Sequence, residues 1–405
     1  MISNRHFFLQ YLAQTSFAPV GLEIVHAKGV YLYGISGKKY IDLISGISVS
    51  NVGHGHPKII EAIKEQAEKF MHLMVYGEYI QSPQVQLAKR LIELLPKNLN
   101  SIYFVNSGSE SVEGALKLAK RFTGRTEIIS FKNAYHGSTH GALSIMGDET
   151  LKQQFRPLLP DVKLLEFNNE NILKQINFKT ACVIAEPIQG EAGVVLPNKF
   201  KIQNSKFKNY LELLRERCNE TGTLLIFDEI QTGMGRTGKL FAFEHYGIVP
   251  DILCLAKAFG GGMPLGAFIS SKEIMTTLSN NPALGHITTF GGHPVCCAAG
   301  LAALEILLKE NLITAVEQKE KLFKQLLNHP KIKTLRCKGL LMALQFESEA
   351  ENRKIISRCI ENGVIVDWFL FCPDAMRIAP PLTISEKEIR NACAIILKSI
   401  EEIKS

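Results

Sequence analysis

Between residues 101 and 257 apolar runs of strand length alternate with stretches of helical period. Ile102–Val105, Glu127–Phe131, Thr180–Ala185 and Thr223–Phe227 are short, β-rich and nearly free of charge. A helix through Val112, Ala115, Leu116 and Ala119 and another near 208–220 lie between them. A chain that alternates in this way folds as a mainly parallel sheet covered by helices on both faces. Ile252–Leu255 adds one more buried strand. The alternation stops after Ile287–Pro294, where helices over about 295–309 and 315–327 precede weaker strands and helices. The expected architecture is therefore α/β, a large domain with a mainly parallel central sheet plus a smaller α+β domain. We place an N-terminal segment at 1–55, packing with the small domain, the large domain at 56–300 and the small domain at 301–405. Within the first segment, 29–34 and 39–43 around Ser36-Gly37 predict a hairpin. Asn198–Asn209, polar and rich in lysine, reads as an exposed insertion.

The bulk numbers exclude several classes. With 405 residues, 46% hydrophobic and 21% charged, the chain has room for two globular domains. No apolar run approaches the ~18 residues that span a bilayer. The net charge of +7 is spread along the chain rather than gathered into a basic run, so neither nucleic acid nor membrane is an expected partner. Nine cysteines without a Cys-x-x-Cys, several inside apolar runs (Cys182, Cys254, Cys393), fit a reducing compartment and argue against a disulfide framework or a zinc site. With no signal sequence at the N-terminus, the expected location is cytoplasmic. His54 and His56, two apart on a Gly-Pro loop, lack the carboxylates or thiols a metal would need, so no metal is expected.

The strand ends carry the chemistry. The five central runs lead into Ser107, Tyr135, Glu186, Asp228 and Lys257, and in open α/β sheets ligands sit beyond the carboxyl ends of the strands. Lys257 follows a buried run and precedes three glycines, which let a large group approach the backbone. Burial would lower its pKa and free an amine to attack a carbonyl, as Schiff-base chemistry with pyridoxal phosphate (PLP) requires. A lysine whose stem lies on apolar surface with its head in water fits that stretch alone better, and the other strand ends reverse the balance. Asn106-Ser107-Gly108-Ser109-Glu110 opens a helix, and its small polar residues suit either a plain N-cap or a phosphate cradle. Tyr135 is placed to stack on a flat ring or to cap the core. An acid at Asp228 and an amine at Lys257 are the two ends of PLP electronics: the carboxylate keeps a pyridine nitrogen protonated and the lysine holds the aldehyde.

As a set, these motifs resemble the class III PLP-dependent aminotransferases (the ornithine, acetylornithine, 4-aminobutyrate and putrescine enzymes). The set comprises Gly53-His54-Gly55-His56-Pro57, Asn106–Glu110, Glu186-Pro187-Ile188-Gln189-Gly190-Glu191, Asp228-Glu229-Ile230-Gln231-Thr232-Gly233, Lys257 with its glycines, Thr289-Phe290-Gly291-Gly292 and Arg377-Ile378-Ala379-Pro380-Pro381-Leu382, and spans Gly29 to about Leu382. The run Gln231–Gly262 is most similar to the putrescine branch. The resemblance implies fold type I and a homodimer with active sites at the interface. It implies Lys257 as the Schiff-base lysine, Asp228 as partner of the pyridinium nitrogen and Gln231 beside the ring hydroxyl. Ser107, Gly108 and Ser109 match the phosphate loop, and Tyr135 matches the stacking aromatic with His136 and Glu186 near it. Thr289 matches a threonine that reaches the other subunit's phosphate. Glu191 and Arg377 match a pair in which the glutamate covers the arginine until a substrate carboxylate arrives. Two positions depart from the ornithine and 4-aminobutyrate pattern: Ser138 stands where those members carry an arginine, and Phe17 where the ornithine enzymes carry a substrate tyrosine. Both changes remove grip on a distal carboxylate and give credit to pyruvate as acceptor. The implied reaction moves a terminal amino group from an ω-amino acid or diamine to a 2-oxo acid, 2-oxoglutarate or pyruvate. An aminomutase or decarboxylase on the same scaffold is the alternative.

Overall fold

The computed structural model describes residues 4–202 and 206–403. The N-terminal part forms an antiparallel meander, β1 (Ile24–Lys28), β2 (Tyr31–Gly34) and β3 (Lys39–Asp42). The middle of the chain supplies β4 (Ser101–Val105), β5 (Glu127–Phe131), β6 (Val162–Leu165) and β7 (Thr180–Ala185). A small hairpin of β8 (Lys199–Lys201) and β9 (Phe207–Asn209) follows, then β10 (Leu224–Asp228), β11 (Ile252–Leu255) and β12 (Gly266–Ser270). The C-terminal part carries β13 (Thr334–Lys338), β14 (Leu341–Gln345), β15 (Val364–Ile365), β16 (Asp367–Phe369) and β17 (Cys372–Ile378).

The central sheet has the order β4-β12-β11-β10-β7-β5-β6. β11, β10, β7, β5 and β6 run parallel, while β12 is antiparallel to both β11 and β4. Every residue of β5, β7, β10, β11 and β12 is buried, whereas the edge strands β4 and β6 are only partly covered. Strands buried on both faces read as continuous apolar runs, which is why the central ones stand out in the sequence. Alternate residues serve two cores. Ile129, Val183, Leu225, Leu253 and Ile269 face one, and Ile128, Cys182, Ile226, Cys254 and Phe268 face the other, beneath the helix Gly108–Thr123.

The sequence reading leaves β12 out. Its apolar core, Ala267-Phe268-Ile269, is short and follows a glycine-rich turn. The 198–209 insertion is a β-hairpin over its described residues. A second sheet, β13-β14-β17-β16, is antiparallel, and β15 pairs in parallel with β3, joining the start of the chain to its last third. Arg236 is fully buried at this junction, where its guanidinium donates to the carbonyls of Leu340 (2.9 Å) and Pro380 (2.5 Å) and to the Asn51 side chain.

Between β3 and the helix Pro57–Lys69, residues 45–48 form a left-handed turn, with φ of 55°, 61°, 62° and 64° at Ser45, Gly46, Ile47 and Ser48. Asp42 Oδ1 accepts from the backbone N–H of Ile44 and Ser45 (2.8 and 2.9 Å), and Ser45 Oγ donates to the Ala379 carbonyl (2.8 Å). These anchors hold a conformation that L-residues rarely adopt. His54 Nε2 lies 2.8 Å from Asp42 Oδ2. Among the described residues no group of three or more His, Cys, Asp or Glu side chains is placed to hold a metal, and no helix is long and apolar enough to cross a membrane.

Candidate active site

The carboxyl ends of β4, β5, β7, β10 and β11 open into one crevice of about 350 Å³. Ser107, Gly108, Ser109, Tyr135, His136, Glu186, Glu191, Asp228, Gln231 and Lys257 all line it. Val49, Ile230, Met263 and Pro264 complete the wall with apolar surface that the sequence reading did not single out. Their signal is weak in sequence because apolar residues in loops more often cap a core.

Each polar group is held by local backbone. Ser107 caps the helix Gly108–Thr123, its Oγ accepting from Glu110 N (3.2 Å). The first helical N–H groups have no acceptor inside the helix, so this end of the crevice favours an anion. Gly108 packs against Ile230; a Cβ there would lie 2.9 Å from Ile230 Cδ1. Gly137 adopts φ +122°, and a Cβ on it would meet Ser109 Oγ at 2.1 Å. Ser109 Oγ accepts from Ser138 N (3.3 Å), joining the two loops.

At the floor, Asp228 Oδ2 lies 2.8 Å from His136 Nδ1, and Oδ1 accepts from Ile230 N (3.0 Å). The other ring nitrogen, Nε2, is buried with no hydrogen-bond partner among the described residues. Glu186 accepts from Tyr135 N (3.1 Å) and Gly190 N (2.8 Å) and so ties the aromatic loop to the Glu191 loop. Burial pushes its carboxyl up to about 7, opposed by nearby His136 and reinforced by Asp228.

Lys257 sits at φ +52°, a left-handed backbone at a residue with a long side chain. Among the described residues its ammonium has no hydrogen-bond or salt-bridge partner. Burial lowers its pKa, the Arg377 charge adds to that, and Glu191, Asp228 and Glu186 oppose it. Arg377 meets Glu191 in a fork, NH1 to Oε1 at 2.6 Å and NH2 to Oε2 at 3.1 Å. Burial alone would raise the Glu191 carboxyl, but Arg377 outweighs it and holds the group below the usual range. Gln231 Nε2 approaches Glu191 Oε1 at 3.4 Å. The sequence reading missed a second carboxylate on Arg377: Asp367 Oδ1 accepts from Nε at 2.9 Å. The signal available was an acid inside the apolar run Val364–Phe371.

Four expected residues are not among those lining this crevice. Arg377 is buried behind Glu191 and reaches the crevice only through that fork. Phe17 lies in irregular chain between the first helix and β1 with its side chain fully in solvent, so nothing in this chain presents it as a substrate contact. Thr289 lies on a loop whose carbonyl meets His72 Nε2 at 2.8 Å, away from the crevice of its own chain. Ser138 lies just outside the lining, its hydroxyl 3.2 Å from Tyr135 Oη.

Residues 12–400 match the family described as "Aminotransferase class-III". The chain is a class III aminotransferase. It is 41% identical over 374 residues to an acetylornithine aminotransferase of Methanopyrus kandleri, covering 92% of each chain. It is 39% identical over 395 residues to an acetylornithine aminotransferase of Methanocaldococcus jannaschii, covering 94% of each. The fold is similar to that of ornithine aminotransferase from Toxoplasma gondii, with a TM-score of 0.89, 30% identity, and coverage of 98% of this chain and 94% of the other.

A class III aminotransferase is PLP-dependent and works on an amine donor and a 2-oxo acid, and the chain's own residues fit that cofactor. An anion-accepting helix end, a pinned carboxylate at the floor, an aromatic wall and an unpaired lysine share one cavity of suitable size. Gly108 and Gly137 keep open the space that side chains would fill.

Proposed function

We propose that this aminotransferase moves the terminal amino group of an ω-amino acid or diamine to a 2-oxo acid, 2-oxoglutarate or pyruvate. The observation that carries the reading is the fork that Arg377, buried behind the cavity wall, makes to Glu191, which lines the cavity that holds Lys257. An arginine fork recognises a planar carboxylate. While Glu191 covers it, the crevice accepts an amine whose neighbouring carbon bears no carboxylate. When Glu191 withdraws, the same arginine takes the carboxylate of a 2-oxo acid. Two substrates of different charge then share one site, which favours two-half transamination over the isomerase or decarboxylase alternative. Val49, Ile230, Met263 and Pro264 suit an aliphatic chain between two functional ends. The likeness to acetylornithine aminotransferases supports an ω-amino acid. Ser138, a hydroxyl in place of a guanidinium, supports a diamine.

In this reading Ser107, Gly108 and Ser109 would hold the cofactor phosphate, and Thr289 would reach the phosphate in a second protomer's crevice. Tyr135 would hold the ring, Gln231 its hydroxyl and Asp228 its nitrogen, with His136 and Glu186 fixing Asp228 and Tyr135. When bound, PLP supplies the carbonyl and electron sink that keep the amino group between the two halves. Lys257 Nζ, its pKa lowered by burial, takes the proton from the donor's amine-bearing carbon. The chain works as a homodimer in the cytoplasm. Exposed Met71, Tyr79, Ile80, Ile287 and Phe290 give the dimer an apolar face near the Thr289 loop.

The test is a half-reaction panel. The PLP-loaded enzyme is mixed singly with putrescine, cadaverine, ornithine, acetylornithine and 4-aminobutyrate while its visible absorbance is followed. One or more terminal amines should bleach it, and 2-oxoglutarate or pyruvate should restore it. A panel in which none bleaches it, or an amine that is rearranged or decarboxylated with no 2-oxo acid consumed, overturns the proposal.

A further inference from the structure

Arg377 has two carboxylate partners of different origin. Glu191 comes from the loop after β7 and takes the outer fork, NH1 and NH2. Asp367 comes from β16, the strand beside β17, where the register sets Asp367 directly opposite Arg377. Directly opposed residues on neighbouring strands keep their side chains side by side. Asp367 Oδ1 accepts from Nε at 2.9 Å, the Trp368 carbonyl accepts from NH2 at 2.7 Å, and the Phe369 ring lies 4.7 Å from the guanidinium carbon. One edge of the guanidinium is thus fastened to its own sheet, and the fork is given to a loop from another element.

We propose that Asp367 is a positioning residue for the 2-oxo acid: it holds Arg377 through Nε, so that the fork keeps its aim while Glu191 and the substrate carboxylate exchange. The proposal rests on the reading of Arg377 given above and adds a division of labour between its two acids. Arg377 is almost completely buried. A buried cation stripped of its partner is strongly destabilising. With Glu191 as sole partner, every opening would pass through that state and leave the guanidinium free to turn. Asp367 keeps the cation paired throughout, and Trp368 O fixes the plane of the fork. Withdrawal of the Glu191 side chain breaks the fork and the bonds from Leu370 N (3.1 Å) and Gln231 Nε2 (3.4 Å), while the backbone of its loop stays tied to the sheet through Phe371 N to the Glu191 carbonyl (3.1 Å) and Arg336 Nε to the Gly193 carbonyl (2.6 Å).

The two half-reactions are measured separately in Asp367→Ala, Asp367→Asn and Arg377→Met, together with calorimetric titration of glutarate, an unreactive dicarboxylate, into the PLP-loaded protein. In Asp367→Ala the KM for the 2-oxo acid and the Kd for glutarate should rise about tenfold, with kcat changing less than KM. Asp367→Asn keeps a neutral acceptor at Nε and should rise about threefold. The amine half-reaction should shift by less than about twofold in either variant. Unchanged 2-oxo acid KM and glutarate Kd in the Asn variant, or equal losses in both half-reactions, overturn the role of Asp367. The Asn variant decides the matter by itself if the Ala variant does not fold. The arginine variant separates the two levels. If Arg377→Met spares the 2-oxo acid half, the reading of Arg377 fails and takes this inference with it. If Arg377→Met loses that half while both Asp367 variants retain it, only the inference fails.

Discussion

Lys257 combines two unfavourable conditions, a left-handed backbone and a desolvated amine with no hydrogen-bond partner among the described residues. Strain of this kind persists only where the surroundings impose it, here between the end of β11 and the turn through Gly261 and Gly262. Lys257→Ala should therefore fold at least as well as the parent yet lose turnover by roughly 10³-fold or more, as expected when the general base and the covalent anchor are both removed; single-turnover rates with the best donor check this. Gly137→Ala meets both obstacles at once, a φ of +122° and Ser109 Oγ at 2.1 Å. It should weaken PLP binding by about tenfold or more, measured by titrating the cofactor into the apo protein, because the two loops it joins carry Ser109 and Tyr135. At this scale much of the site was legible. Asp228, Lys257 and Glu186 stand out because a charge directly after an apolar strand has few structural uses. Asp367 was not legible, because its partner is ten residues away across a strand pair and nothing local marks the register.

The left-handed turn at 45–48 forces a β-branched residue, Ile47, into φ +62°, at a position that is partly exposed. A left-handed conformation costs an L-residue roughly 1–2 kcal/mol. Ile47→Gly removes that strain but loses some apolar burial and gains chain entropy when unfolded. A net stabilisation of up to about 1 kcal/mol is expected, seen as a higher midpoint in urea. If the midpoint falls instead, contacts of Ile47 outweigh its backbone strain. Ser-Gly-Ile-Ser carries no sequence signal for such a turn. Its cause lies in Asp42 and Ala379, brought together only by the folded chain. The same distinction runs through the strands. β5, β7, β10 and β11 were legible because burial on both faces makes them uniformly apolar. β6 and β12 were not, one because it is a half-covered edge and the other because a three-residue apolar core resembles a loop.

For the whole molecule, buried acids set how stability responds to pH. Burial pushes Glu186 and Glu229 up to about 7. A carboxyl raised above its unfolded value of 4.5 binds its proton more tightly in the folded state. The stability it contributes is complete below about 4.5 and is lost as pH rises through 7. Acids held low by cations, such as Glu191, act in the opposite sense and lose their contribution as pH falls. Apo protein should therefore lose Tm between about pH 5 and 8 on account of the first pair. Glu229→Gln, away from the crevice lining, should lose less over that interval than the parent, by a few °C in thermal melts. An identical slope would mean that Glu229 titrates as it does in the unfolded chain. The pairing of β3 with β15 has a consequence in time rather than in energy. Roughly 320 residues separate Asp42 from Val364, and at about 5–20 residues per second a ribosome needs some 15–60 s to make them. For that interval the N-terminal meander leaves the tunnel with Lys39–Asp42 as an open edge, the kind of template to which other chains add. The newborn protein carries its first sheet unfinished until its last third arrives, so its yield in a cell depends on how fast it is translated and on what shields that edge meanwhile.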